Sequence, residues 1–550
     1  MATLRCHFYN PSHTFIPQEH YYLADIMMEK LASALMMCGI VNAALYEGVI
    51  STSHGQVQGH PAFNSTPNGN LTNWKDITVW KGIPFAASTA GENRWKAPKP
   101  AGRWNGTLDA KNYGDICPST SSNSEYTISE NCLNLNIWTS ATSTTQKRPV
   151  VMWSYPAYST AADALFDGAG MADAGVVYVN YNYRTGALGW LAHPELSQER
   201  VNTVGFNSSG NYGMLDQFAA LKWIHDNIEA FGGDPNRITV MGQSAGSAAT
   251  QHILNSPLNK GLIVGAIIES GVRDPHDPLC ETLAENYRNL TFALNQGLDY
   301  LADKNTSSIA NARKLDYTTF VDSDFPPTSS SWTFTATLDH YALPDTYENT
   351  LRKGAANDVP IITGNTRDES GATYGLNITI AEYLADLNET YSGQWVDKFL
   401  ELYPGNNASQ ASESENQQFT DRSIIGTWIW AQKWKQAAKS PIYTYIWDHA
   451  PPGQSQGAYH ESEINYVLNN LYGTDSPWTD EDYEIAATMN SYWVNFIKTG
   501  DPNGQGLTRW DKSNSKEITQ RLGDGFGPVQ LALADRVKLM EEWLLTQPVW

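Results

Sequence analysis

Three shortages narrow the possibilities before any motif is read. Positive charge is scarce: 36 Lys and Arg against 58 Asp and Glu leave a net charge of −22 and a pI near 4.9. With cations so few and nowhere clustered, nucleic acid and anionic membrane surfaces are excluded as partners, and the acidic surface chiefly promotes solubility. Cysteine is scarce too, with five residues at positions 6, 38, 117, 132 and 280. That is too few for a disulfide scaffold, though enough for one bridge in a secreted enzyme. Long hydrophobic runs are missing everywhere except near the N-terminus, and none of the later ones is long enough to span a bilayer, so stable membrane insertion is not expected. No repeat is visible, and no clustered ligand motif of the kind a metal site needs.

The one exceptional apolar run is Leu31 to Val41, preceded by Met28-Glu29-Lys30 and followed by Asn42-Ala43-Ala44. A short charged start, an apolar centre and small residues at the end are the parts of a secretory signal, here displaced from the first methionine. Residues 28–44 therefore read as a signal-peptide-like segment and residues 1–27 as an upstream extension, with translation starting at Met27 or Met28 and cleavage near Ala43. Residues 45–550 then form a single domain, because no linker divides them. Nine Asn-x-Ser/Thr sites follow the cleavage point, at Asn64, Asn70, Asn105, Asn207, Asn289, Asn305, Asn377, Asn388 and Asn407. They agree with an extracellular, secreted glycoprotein. Oligomeric state has no signature in the chain.

From Val150 onward the pattern is that of an α/β protein. Val150-Val151-Met152-Trp153 and Val176-Val177-Tyr178-Val179 are short apolar runs without alternation, as strands buried on both faces require. Apolar residues recur at helical spacing between Met214 and Phe231, and Gly232-Gly233-Asp234-Pro235 ends that helix. Strand, helix, strand, turn and helix in succession predict a central, mostly parallel sheet flanked by helices.

The stretch from Arg237 to Ala249 concentrates the chemistry. A β-branched strand, Ile238-Thr239-Val240, runs into Gly242-Gln243-Ser244-Ala245-Gly246 and then into a helix, the shape of a turn that holds a serine hydroxyl clear of the sheet. The five-residue template recurs at Gly453-Gln454-Ser455-Gln456-Gly457, but Ala450-Pro451-Pro452 before it cannot end a central strand. Ser455 reads as a loop residue, and Ser244 as a nucleophile.

Around this turn the chain resembles the type-B carboxylesterases, the esterase, lipase and cholinesterase group of the α/β-hydrolase fold. The matching blocks are Gly82-Ile83-Pro84-Phe85-Ala86, Glu130 to Trp138, Asn182-Tyr183-Arg184, Asn211 to Gln217, Phe231 to Pro235, and Trp493-Val494-Asn495-Phe496 leading to Thr499-Gly500-Asp501-Pro502-Asn503. They span nearly the whole body in the family's order. The resemblance implies an α/β-hydrolase fold with large helical insertions and a serine, acid, histidine order of catalytic residues. The acid falls at Glu369, in Gly364-Asn365-Thr366-Arg367-Asp368-Glu369, with Asp368 as its competitor; the histidine falls at His460, before Glu461-Ser462-Glu463-Ile464. A serine hydroxyl needs a neutral imidazole to take its proton, and that imidazole needs a buried carboxylate to fix its tautomer and stabilise its charge. Water completes such a cycle, so neither metal nor organic cofactor is implied. The resemblance also pairs Cys117 with Cys132, closing a loop of 14 residues that contains no tryptophan. A quaternary-ammonium cage needs an aromatic face and a lipase lid needs a large apolar flap, so cholinesterase and triglyceride lipase activities are disfavoured.

Two departures from the family stand out. Where relatives carry a His-Gly-Gly-Gly-type motif, this chain has Ser154-Tyr155-Pro156-Ala157-Tyr158-Ser159. Pro156 has no N–H, so Ala157 and Tyr158, with Ala245 after the nucleophile, are the amides expected to bind the oxyanion; a Tyr155 or Tyr158 hydroxyl is the alternative donor. Loss of one donor costs about 10²–10³ in turnover. The second departure is Gln243 in place of a glutamate, with Glu463 positioned either to restore part of that charge or as a helix N-terminal charge. The reading is a serine hydrolase cleaving a small-molecule carboxylic ester through an acyl-enzyme on Ser244. Its rivals are a same-triad biosynthetic enzyme performing acyl transfer, lactonisation or a lyase-type reaction, and a non-catalytic cholinesterase-like binding protein. If the leader reading holds, N-terminal sequencing of the secreted protein starts next to Ala43; a peptide beginning before Met28 overturns it.

Overall fold

In the computed structural model, residues 44–69, 71–119, 125–282, 286–321 and 332–550 are described. The signal-like run, Cys6, Cys38 and Asn70 lie outside them. One contact unit spans Ala44–Trp550.

Eleven strands form the central sheet: β1 His60–Pro61, β2 Thr78–Pro84, β3 Asn134–Thr139, β4 Arg148–Ser154, β5 Val177–Tyr181, β6 Gly233–Gln243, β7 Gly265–Glu269, β8 Ile361–Thr366, β9 Ile442–Trp447, β10 Ile518–Leu522 and β11 Gly527–Gln530. Their spatial order is β1-β2-β3-β5-β4-β6-β7-β8-β9-β10-β11. The pairs from β5 through β4 to β10 are parallel, and the pairs at both ends are antiparallel. Strands β5, β7, β8 and β9 are buried along their whole length, which is why none of them alternates apolar with exposed polar residues. Four helices matter for the site: α1 Tyr212–Asn227, α2 Ala245–Asn255, α3 Ala408–Ala437 and α4 Asp480–Thr499. The last opens on a capping box, Thr479 with Asp482, and closes on Gly500 in the left-handed region.

Polar residues inside the sheet act as ties. Asn136 donates to Asn180 at 2.7 Å and to the Ala161 carbonyl; Asn180 donates to the Phe166 carbonyl; Asn182 accepts from the Ala161 amide at 3.0 Å. Three asparagines on β3, on β5 and just after it thus anchor the loop that leaves β4. Each is buried, where an amide left without partners would cost about 1–3 kcal/mol.

Two buried ion pairs hold outer segments to this frame. Arg184 meets both carboxylate oxygens of Asp216 at 2.7 Å, and Arg94 meets both of Glu130 at 2.6 Å. Asp216 is fully buried and Arg184 is 3% exposed, so neither charge can fall back on water. Removing one partner strands the other. Asp216→Ala is accordingly expected to lower stability by about 3–5 kcal/mol in a denaturant titration, and a loss under ~1 kcal/mol would contradict this account of the pair.

Candidate active site

The serine sits at the junction of β6 and α2 with φ 55° and ψ −119°, a backbone state that costs energy for a residue bearing a side chain. The surroundings impose it. The Ser244 amide donates to the Glu269 carbonyl on β7 at 3.0 Å, and its carbonyl accepts from the Ser247 amide and the Ser247 hydroxyl. The flanking glycines are required by contact: a Cβ on Gly242 would lie 2.3 Å from the Gly246 carbonyl oxygen, and one on Gly246 would lie 1.9 Å from that of Ser154. Ser244 itself is half-buried. Ser455 lies in an exposed bend of a loop.

Glu369 follows β8 and is 5% exposed. Its Oε1 accepts from Asn365 Nδ2 and the Thr366 amide, and its Oε2 is 2.6 Å from His460 Nδ1. Burial alone would raise its pKa; hydrogen bonding and charge attraction from His460, with help from Arg273 and Asn365, outweigh burial and lower it. The reciprocal effect falls on the histidine. Burial opposes the imidazolium, but hydrogen bonding and charge attraction from Glu369 push His460 up from 6.5 to about 9.

Asp368 does not reach His460. It pairs with Arg367 and accepts from the Ala458 amide at 2.7 Å, while its own amide donates to the Ala458 carbonyl. Its role is to pin the loop that carries the histidine.

Among the described residues no hydrogen bond joins Ser244 to His460. Instead Gln243 Nε2 stands 3.3 Å from His460 Nε2 and 3.4 Å from Nδ1. The residue that departs from the family's glutamate therefore touches the imidazole directly.

Glu463 is not the exposed charge that its position at a helix start suggests. It is fully buried, neither carboxyl oxygen has a hydrogen-bond partner, and burial followed by Glu269 raises its pKa well above the carboxylate range. Glu269, also fully buried, is raised by burial to about 8 while accepting from Trp493 Nε1 at 2.7 Å. Both resist ionisation because a single indole N–H on Glu269 and no hydrogen-bond partner on Glu463 do not make up for the lost hydration.

Ser244, Ala245, Pro156, Ala157, Tyr158 and His460 share the wall of one cavity of about 480 Å³. In the altered stretch, Tyr155 is turned inward. Its ring stacks on Tyr183 at 4.7 Å, and its hydroxyl accepts from the Tyr183 amide. That hydroxyl is engaged in the core. Tyr158 is half-exposed and has φ 64°, so the left-handed backbone normally left to glycine persists here with a tyrosine side chain turned outward. Pro118 and Ser119, next to the Cys117–Cys132 disulfide, reach the same cavity. Cys280, outside any disulfide, is buried with its thiol on the Asp274 carbonyl.

Sequence reasoning missed the asparagine ties behind the loop, the Gln243 contact and Arg273, a buried cation bonded to Ser370 at 2.5 Å and facing Asp277. Asn136 and Asn182 stand in the blocks that carry the resemblance, where nothing assigns them a partner, and Asn180 stands in none.

A family model described as Carboxylesterase family matches residues 47–523. The chain is 32% identical to fumonisin B1 esterase of Sphingopyxis macrogoltabida, over 92% of this chain and 94% of that one. It is 31% identical to para-nitrobenzyl esterase of Bacillus subtilis (strain 168), over 84% and 91%, and 30% identical to bile salt-activated lipase of Bos taurus, over 92% and 89%. A solved structure titled PNB esterase superposes with a TM-score of 0.70 at 28% identity, covering 90% of this chain and 99% of that one.

The electrostatics of the histidine are open to direct measurement. Glu369→Gln removes the charge that raises His460, so its pKa, followed by NMR of the imidazole carbon protons, should fall from about 9 towards 6.5; an unchanged value would assign the shift to another group.

Proposed function

The chain belongs to the carboxylesterase family, has the α/β-hydrolase fold and is a carboxylic ester hydrolase, and from that premise we propose that it works through an acyl-enzyme on Ser244. The observation that carries the reading is the 2.6 Å contact between Glu369 and His460 at the wall of the cavity into which Ser244 opens.

In the proposed cycle neutral His460 takes the Ser244 proton as the oxygen attacks the ester carbonyl. The negative charge moves to the carbonyl oxygen, where the amides of Ala245, Ala157 and Tyr158 receive it. Ala245 begins α2, so its N–H has no acceptor within the helix. The left-handed turn at Tyr158 supports a preserved loop geometry without glycine, and the inward packing of Tyr155 argues against its hydroxyl as a donor. His460 then returns its proton to the leaving alcohol, and the acyl group stays on Ser244. Water, deprotonated by His460, attacks the acyl-enzyme; the acid is released and Ser244 regains its proton. Glu369 remains ionised throughout and stabilises the imidazolium.

Because the base must be neutral, and Glu369 raises its pKa, turnover should rise with pH through the His460 titration. The carboxylate that makes the imidazole a stronger base also holds its proton more tightly at neutral pH.

Esters are the substrate class; the relatives act by name on fumonisin B1, para-nitrobenzyl esters and lipids, which leaves this chain's acyl and alcohol groups open. We further infer a secreted glycoprotein whose single domain spans 45–550. All eight described acceptor asparagines are exposed, and among the described residues no helix is long and apolar enough to cross a membrane.

Pure protein incubated with short-chain aryl esters tests the mechanism. Hydrolysis is expected with a burst of one aryl alcohol per chain, falling by about 10⁶ in Ser244→Ala and by about 10⁴ in Glu369→Gln. Retained turnover in Ser244→Ala would move the nucleophile elsewhere; covalent capture of Ser244 by an organophosphonate without hydrolysis would favour a group-transfer enzyme.

A further inference from the structure

The cavity continues beyond Ser244 along the helix that begins there. Ala245, Ala248 and His252 fall on one face of α2, three and then four residues apart, and all three line the cavity. The two alanines leave room, and the histidine occupies the far position, its ring tilted against Trp190 at a centroid distance of 6.3 Å. At the rise of an α-helix, eight residues carry His252 about 12 Å past Ser244.

The histidine has no part in the proposed acyl chemistry, and its environment is unlike that of His460. Its Nδ1 is buried with no hydrogen-bond partner. The side chain is nevertheless half-buried and on the cavity wall, so the polar atom it offers there is Nε2. Burial lowers its pKa from 6.5 to about 4, which makes the ring neutral at physiological pH. Asn286 stands at the same end, since both also line a small adjoining recess.

The remaining charges decide what such a ring can recognise. No carboxylate stands among the described residues lining this cavity, and Asp345, in the adjoining recess, is already engaged by Lys353, so an ammonium group finds no free counter-charge. The cation on the wall, Arg273, is engaged by Ser370 and Asp277. A carboxylate beside His252 would meet a neutral imidazole. A plain alkyl chain would cover Nε2 without replacing its hydration. A hydroxyl fits either tautomer, because it donates to an unprotonated nitrogen and accepts from a protonated one.

We propose that this end of the cavity is a specificity site for a neutral hydroxyl group, carried by one limb of the ester about 12 Å from the reacting carbonyl, with His252 as its hydrogen-bond partner. The proposal rests on the reading of the cavity as the ester site and adds the substrate class to it.

Matched pairs of esters test it: ethyl decanoate against ethyl ω-hydroxydecanoate, and decyl acetate against ω-hydroxydecyl acetate. In one pair, whichever places its chain along α2, kcat/KM should favour the hydroxylated ester by about tenfold. His252→Leu should bring that ratio close to one, and His252→Gln, which returns a polar group near the position of Nε2, should restore part of it. Absence of a preference in both pairs, or a preference that survives His252→Leu, overturns the proposal while leaving the hydrolase reading intact. If no ester is turned over, calorimetric binding of the same pairs to Ser244→Ala decides: tighter binding of the hydroxylated member, lost with His252→Leu, upholds the site although the acyl-enzyme reading fails, and equal binding overturns both.

Discussion

A side chain that is absent holds the two halves of the site together. Gly246, in the first turn of α2, packs so closely on β4 that a Cβ would lie 1.9 Å from the Ser154 carbonyl oxygen and 2.9 Å from that of Tyr155. The helix bearing the proposed nucleophile is thereby pressed against the start of the loop bearing the proposed oxyanion amides. The strained turn at Ser244 can exist because α2 has nowhere else to begin, and the loop after Ser154 starts from a fixed point. The asparagine ties from Asn136, Asn180 and Asn182 fix it again at Ala161 and Phe166.

Between those fixed points the loop tolerates an unusual sequence. Where the resemblance implies glycines, which adopt a left-handed backbone without cost, Tyr158 adopts it with φ 64°. A left-handed residue with a side chain costs of order 1 kcal/mol, small beside the buried network that enforces it. Pro156 and Tyr155 replace flexibility with packing, since Pro156 is buried and Tyr155 is stacked between Tyr183 and Phe166. The loop is shaped from outside itself, which is why its own residues say little about its conformation.

The carboxyls near His460 show how burial sorts chemically equal groups. Glu369 keeps its charge because three partners, His460, Arg273 and Asn365, outweigh its desolvation; Asp368, one residue earlier, faces Arg367 and a backbone amide; Glu463 and Glu269 are buried with few partners and pushed towards the neutral form. Only Glu369 carries both the charge and the line to the imidazole. The same balance separates the two histidines of the cavity, one raised by a carboxylate and the other lowered by burial.

The residues alone announce a mostly parallel sheet and the serine turn, and the family resemblance adds the order of the three proposed catalytic residues. Those features are local or ordered along the chain: an unbroken apolar run marks a doubly buried strand, and Gly-x-Ser-x-Gly between strand and helix marks a turn with no room for a Cβ. The resemblance implies Glu369 rather than Asp368 as the acid, and the Ala458 clamp that engages Asp368 joins residues 90 positions apart. What only the tertiary structure decided was which polar groups lose water and which acquire partners from distant strands. The neutral tendency of Glu463, the approach of Gln243 to His460, the inward turn of Tyr155 and the placement of His252 at the far end of the cavity all depend on desolvation, which is a property of the packed volume around a group and not of its neighbours in the chain.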